Sequence, residues 1–230
     1  MKTIGLIGGM SWESSSEYYR LINELVRDRL GGLHSAKSIM VSVDFAEVEA
    51  LQTKGLWEEA GRMMSAAGRS LENAGADFIV LCTNTMHKLT RQIEENIHIP
   101  FLHIADATAD RIKREGIKKI GLLGTSFTME QDFYKGRLET VYGLEVIVPG
   151  NEDRRLVHRV IYDELCAGVI NSRSRVSYRH IMNGLAQAGA QGIILGCTEI
   201  CLLVNTDDSP VPLFDTTRIH AEAAVDMALS

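Results

Sequence analysis

The chain repeats itself at long range, and that repeat limits its fold more than any other feature. TIGLIGGM (3–10) resembles KIGLLGTS (119–126), with Gly5, Leu6 and Gly8 matching Gly121, Leu122 and Gly124 at an offset of 116 residues. GADFIVLCTNT (75–85) resembles GAQGIILGCTE (189–199) at an offset of 114, and IPFLHIAD (99–106) resembles VPLFDTTR (211–218) at 112. Any two buried strands look alike, so each match alone is weak. Three matches in one order at nearly constant spacing point to two similar halves.

Each half alternates short β-branched runs with longer amphipathic ones. Strands are expected at 3–7, 39–43, 78–82, 100–103, 119–123, 145–148, 192–195 and 211–214. Between them lie helical patterns such as Tyr18, Leu21, Ile22, Leu25 and Val26, with Ser14 and Glu17 reading as a capping box. This alternation predicts an α/β fold of two pseudo-symmetric lobes, each a mostly parallel sheet flanked by helices, with an active site in the cleft between them. The expected lobes are 1–104 plus 216–230, and 105–215.

Ligands of open parallel sheets sit beyond the carboxyl ends of the strands, against helix N-termini. Four polar clusters follow apolar strands there: Gly8-Gly9-Met10-Ser11, Thr83-Asn84-Thr85, Gly124-Thr125-Ser126 and Cys197-Thr198-Glu199. Their hydroxyls and backbone N–H groups suit a carboxylate without needing a lysine or arginine. The repeat also sets a register. With Leu81 placed on Leu195, Thr83 falls opposite Cys197 and Cys82 opposite Gly196. Strand side chains alternate in direction, so Cys82 reads as a small core filler rather than the reactive thiol.

Composition narrows the class. The 230 residues are 45% hydrophobic and 23% charged, as in an ordinary globular protein. A net charge of −6 gives no general reason to expect nucleic acid or an anionic membrane as partner, so neither is expected. No apolar run reaches the roughly 18 residues of a membrane span, and the opening MKTIGLIGGM reads as a first strand rather than a signal peptide. Four cysteines, Cys82, Cys166, Cys197 and Cys201, do not make a disulfide framework in a chain this long and read as reduced thiols of a cytoplasmic protein. No Cys/His spacing suggests a metal, IGLIGGMS is not a dinucleotide fingerprint, and nothing demands pyridoxal phosphate, so no cofactor is expected.

The paired motifs resemble those of the aspartate/glutamate racemase family, whose members carry Cys-Asn-Thr after a first-lobe strand and Gly-Cys-Thr after its second-lobe counterpart. Here the second reads Gly196-Cys197-Thr198-Glu199 and the first Thr83-Asn84-Thr85, followed by Met86-His87. The resemblance runs from Gly8-Gly9-Met10 to Asp215-Thr216. It implies a cofactor-independent amino-acid racemase and a homodimer. One residue removes the α-proton and another returns it on the opposite face, a thiol serving either way once N–H donors at a helix start lower its pKa. By this analogy Cys197 is the base for the L-enantiomer, and Thr83, an alcohol in place of a thiol, is a weak donor on the other face. Asn84, Thr85, Thr125 and Thr198 belong to the substrate cradle, and Met10 and Gln52 to positions contacting substrate. Glu164 has two open readings, a partner for the substrate ammonium or a solvated helix face. The stretch around Gln52 lacks the arginine of aspartate-specific relatives, which leaves room for glutamate or uncharged amino acids.

Rival readings stay open: an arylmalonate-decarboxylase-like or hydantoin-racemase-like enzyme using a single cysteine, or a non-catalytic amino-acid-binding module. His87 reads as an orienting rather than catalytic group. Cys201, four residues after Cys197 on an expected helix, and Cys166 read as packed apolar residues, and Trp12, Met63 and Met64 as lid and core packing.

Overall fold

The computed structural model describes residues 1–230. Its elements run β1 (Ile4–Gly8), α1 (Trp12–Leu30), β2 (Ser38–Ser42), α2 (Phe45–Thr53), α3 (Trp57–Asn73), β3 (Phe78–Leu81), a 3-10 turn (Thr85–Leu89), α4 (Thr90–Glu94), β4 (Phe101–Leu102) and α5 (Ile104–Arg114). They continue β5 (Lys119–Gly124), α6 (Ser126–Glu130), α7 (Lys135–Thr140), β6 (Glu145–Ile147), α8 (Asn151–Arg159) with a π turn (Val160–Glu164) and a 3-10 turn (Leu165–Ala167), α9 (Ser172–Gln187), β7 (Ile193–Gly196), α10 (Ile200–Leu203), a 3-10 turn (Thr206–Asp208), β8 (Leu213–Asp215) and α11 (Thr216–Leu229). All eight expected strands form, with ends displaced by a residue or two. None of the helices is long and apolar enough to cross a membrane.

Two four-stranded sheets result, ordered β2-β1-β3-β4 and β6-β5-β7-β8, and every pairing is parallel. The strand order is the same in both, so the sequence repeat is a repeat of topology. Residues Met1–Ile104 with His220–Ser230 form one compact unit, and Ala105–Ile219 the other. The last helix, α11, follows β8 of the second sheet, yet its Ala221, Ala224, Val225 and Ala228 pack into the core of the first unit.

Strand alternation divides that core. Ile7, Ile79 and Leu81 pack with Ala60, Met64, Ala67 and Leu71 of α3 on one face of the first sheet. Ile4, Leu6, Phe78, Val80 and Cys82 pack with Tyr18, Leu21, Ile22 and Val26 of α1, and with α11, on the other. Helices on both faces bury β1 and β3 entirely, which is why they are continuous apolar runs. The Gly-Ala pairs of the repeat stop two matching helices. Gly75 and Gly189 take φ of 92° and 93°, a left-handed conformation that suits glycine. The amides after them return to the helix end, Ala76 N–H to Leu71 O and Ala190 N–H to Leu185 O, both at 3.0 Å.

One local expectation is corrected. The start of α1 is capped by Ser11, whose Oγ accepts the Ser14 N–H at 3.3 Å. Ser14 is already inside the helix and its hydroxyl donates to the Cys82 carbonyl at 3.0 Å, while Glu17 pairs with Arg20. The cap lies one turn earlier than the Ser14–Glu17 pattern suggests, because the loop after β1 is shorter than a Ser14 cap requires.

The repeat-related glycines are not equally constrained. A Cβ on Gly5 would lie 2.9 Å from Ala76 Cβ and 3.1 Å from the Phe78 carbonyl, which cannot move independently of the sheet. On Gly121 it would meet Ile193 Cγ1 and Leu185 Cδ1 at 3.1 Å, side-chain atoms able to shift. Gly5→Ala is expected to lower unfolding free energy by about 1–3 kcal/mol, and Gly121→Ala by less, measured by urea denaturation.

Candidate active site

In the second unit the site grows from two neighbouring strand ends. Gly124 of β5 and Gly196 of β7 are register partners. A Cβ on Gly196 would stand 2.9 Å from the Leu123 carbonyl, and one on Gly124 3.0 Å from the Gly196 carbonyl. Neither position admits a side chain, so the loops carrying Thr125 and Cys197 leave the sheet in contact. Thr125 caps α6, its Oγ1 accepting the Thr128 N–H at 3.3 Å.

Cys197, Thr198 and Glu199 form the turn before α10. The Cys197 thiol donates to Glu199 Oε2 at 3.0 Å, and Thr198 Oγ1 donates to the same oxygen at 2.5 Å. Glu199 is only 4% exposed. Burial, and then the Glu199 carboxylate, push the Cys197 thiol well above the usual cysteine range. This reverses the expected acidification. Cys197 precedes a four-residue helix whose N-terminal field is outweighed by a carboxylate in direct contact. Cys201 lies on α10 itself, so the two thiols do not share a helix face as expected.

Buried Tyr178 donates to the Val157 carbonyl at 3.2 Å. Burial, first, pushes its phenol well above the usual tyrosine range, and electrostatic interaction with Cys197, Glu164 and Cys166 acts in the same direction. Cys166 is half-buried on a 3-10 turn rather than in a helix core. Glu164 ends the π turn and accepts the Ser174 hydroxyl at 2.7 Å, in a groove it shares with Arg159, Asp163 and Arg173.

In the first unit Cys82 is fully buried beside Phe78 and Val80, and burial raises its thiol far above the reactive range. Its reading as core filler holds. Thr83 is half-buried, and Asn84 and Thr85 are buried at the start of the following 3-10 turn. Met10 and Met86 belong to one apolar cluster, and buried Gln52 donates through Nε2 to Met86 Sδ at 3.0 Å. Gln52 thus meets Met86 at the end of the 83–86 stretch, and Met10 belongs to the same cluster as Met86. Met64 is core, whereas Trp12 is 69% exposed at the first turn of α1.

His87 has an assignable tautomer. The Ile104 N–H can only donate, so His87 Nε2, at 3.2 Å, accepts. Nδ1 then carries the proton and donates to the Thr83 carbonyl at 2.7 Å. The ring is a neutral strut that shapes the Thr83 loop. His220 is held likewise, its Nε2–H donating to the Leu102 carbonyl at 2.9 Å while Nδ1 accepts the Tyr18 hydroxyl at 2.8 Å.

Sequence reasoning did not single out Glu199 as the partner of the thiol. Its signal was available: an acid two residues after a cysteine in a tight turn can fold back onto it.

The profile of the Asp/Glu/hydantoin racemase family matches residues 7–224. The chain belongs to that family. A candidate Asp/Glu racemase from Yersinia pestis is 59% identical over 100% of both chains, with a TM-score of 0.94. An aspartate racemase homologue from Pyrococcus horikoshii OT3 is 34% identical, again over 100% of both, at 0.86. The broad specificity amino-acid racemase RacX of Bacillus subtilis (strain 168) is 25% identical over 167 residues, 70% of this chain and 68% of RacX. Family and relatives make this racemase-family member an isomerase, an amino-acid racemase.

Because Glu199 disfavours the thiolate both by its charge and by accepting the S–H, Glu199→Gln is expected to lower the pH at which Cys197 becomes alkylatable. Mass-spectrometric mapping of iodoacetamide labelling against pH measures this, with Cys82 unlabelled throughout.

Proposed function

We propose that the enzyme is a cofactor-independent racemase of aspartate, glutamate or a broader set of amino acids, with Cys197 taking the α-proton of the L-enantiomer and Thr83 serving the opposite face. The observation that carries this reading is the Cys197–Glu199 hydrogen bond. A thiol already bonded to a buried carboxylate has a place to leave its proton. Glu199 receives the S–H proton as the substrate ammonium and carboxylate enter, and the thiolate removes the Cα proton. The Thr83 hydroxyl gives a proton to the opposite face of the planar carbanion and takes its replacement from solvent, to which Glu199 releases its own. General acid–base steps of this kind contribute about 10²–10⁴-fold each.

Thr83 is a far weaker acid and base than a thiol, so the two directions are unequal. It delivers or relays a proton to the D face but is poor at removing one. Asn84, Thr85, Thr125 and Thr198 supply amide and hydroxyl groups for the α-carboxylate. Glu164 is the carboxylate for the ammonium, and Met10 and Gln52 contact the side chain. An amide at position 52, joined to a thioether, can bond a distal carboxylate or accept a neutral side chain, which supports a substrate range wider than aspartate alone.

The four free cysteines support a reducing, cytoplasmic setting. Trp12 and Tyr19, 69% and 55% exposed and seven residues apart on α1, present one apolar face that supports a homodimer. Sedimentation equilibrium of Trp12→Ser/Tyr19→Ser against the unaltered enzyme measures it, with loss of the dimer expected.

Proton NMR in D2O over L- and D-amino acids tests the chemistry. Exchange at Cα of L-substrates should exceed that of D-substrates, Cys197→Ser should reduce both by at least about 10²-fold, and Thr83→Cys should narrow the difference. Absence of exchange with every amino acid would overturn the racemase reading.

A further inference from the structure

The first amide of α6, Ser126 N–H, belongs to the loop that carries Thr125, and first-turn amides have no partner within their own helix. Here it donates at 3.2 Å to Nδ1 of His158, which comes from α8. A backbone N–H can only donate, so Nδ1 is unprotonated and the remaining proton of the neutral ring sits on Nε2. The imidazole is fixed from both sides, its centroid 4.8 Å from the Tyr162 ring and 6.2 Å from Phe127 in an edge-on contact. Its exposed edge lines a groove with Ser126, Glu152, Arg155 and Arg159.

We propose that His158 is a positioning residue for the substrate-binding loop 124–126, its unprotonated Nδ1 holding the Ser126 amide and so the placement of Thr125 beside the Cys197 turn. The loop has little other latitude. It touches the Cys197 strand through Gly124, whose added Cβ would lie 3.0 Å from the Gly196 carbonyl. A displacement of the Ser126 amide is therefore passed to Thr125 rather than absorbed. The inference rests on the reading of Thr125 as a substrate contact.

Protonation undoes the arrangement, because an imidazolium presents a second N–H to the Ser126 N–H. Burial lowers the His158 pKa below the ordinary value, opposed by the charges of Asp163 from the π turn and Glu130 from α6. Glu152, Arg155 and Arg159 of its own helix share the groove, and Lys119 of β5 stands at the far end of that strand. A depressed folded pKa places the effect on the acid side. The bond is intact above the unfolded value of about 6.5, and it is lost, with the stability it contributes, as pH falls through the folded value.

Two substitutions separate positioning from bulk. Asn at 158 can offer Oδ1 near the place of Nδ1 and does not titrate, whereas Leu offers no acceptor. In L-glutamate or L-aspartate exchange, His158→Leu is expected to raise KM about tenfold with kcat little changed, the cost of one lost hydrogen bond of about 1.4 kcal/mol. His158→Asn should recover most of that loss and lack the rise in KM expected of the unaltered enzyme as pH falls through the depressed His158 pKa. Equal KM for the Asn and Leu variants, or an acid-side rise that persists in His158→Asn, would overturn the proposal. Nitrogen-15 NMR of the histidine rings reads the tautomer without turnover. A protonated His158 Nδ1 at neutral pH overturns the inference, whereas an unprotonated Nδ1 in an enzyme inactive on every amino acid refutes the racemase reading instead.

Discussion

Parallel strands cannot be joined by a tight turn. Each connection has to climb back over a face of the sheet, usually as a helix. In this protein that requirement organises everything else. With eight strands in two sheets and every pair parallel, each strand begins at one edge and delivers its chain to a loop at the other. The loops after β1, β3, β5 and β7 therefore gather, within each unit, at the carboxyl ends of adjacent strands. Polar residues in these loops need not be close in sequence to be neighbours. Cys197 and Thr125 are the example: 72 residues separate them, and the pairing of Gly124 with Gly196 brings their loops together.

Close backbone approach does the finer placement. Glycine at 124 and 196 lets two strand ends touch, and Ser14 and Ser15 perform a related task in the first unit. The Ser15 hydroxyl accepts the Gly9 N–H at 2.7 Å, and Ser14 binds the Cys82 carbonyl, tying the β1 loop to the β3 loop. Neutral histidines continue the pattern. His87 supports the Thr83 carbonyl and His158 the Ser126 amide, each ring acting through a tautomer dictated by the backbone group it meets. Neither ring has to touch a substrate to shape where one would sit.

The electrostatics of Cys197 set its resting state. A thiol at a helix start is often acidic, and the turn before α10 offers that position. The buried Glu199 carboxylate reverses the balance, since an anion in contact outweighs the partial charge of a four-residue helix. The thiol rests protonated. A protonated thiol is a poor base and nucleophile, so the contact that holds the thiol also sets its resting reactivity.

Most of the fold was legible in the sequence, because burial of parallel strands writes continuous apolar runs and the repeat writes its own register. All eight strands follow from the apolar pattern, and the matched halves and the core position of Cys82 from the repeat and strand alternation. The α1 cap was misread because Ser11, Ser14 and Glu17 offer competing local bonds, and only the length of the β1 loop chooses among them. The acidity expected of Cys197 was reversed, and the partnerships of Glu199 and His158 were missed, for a common reason. A pKa and a tautomer depend on distances of about 3 Å between groups that a helix or turn must first bring together. Sequence determines which residues face the core, since alternation and period are local. Which acid meets which base is decided only when the strands have set their loops side by side.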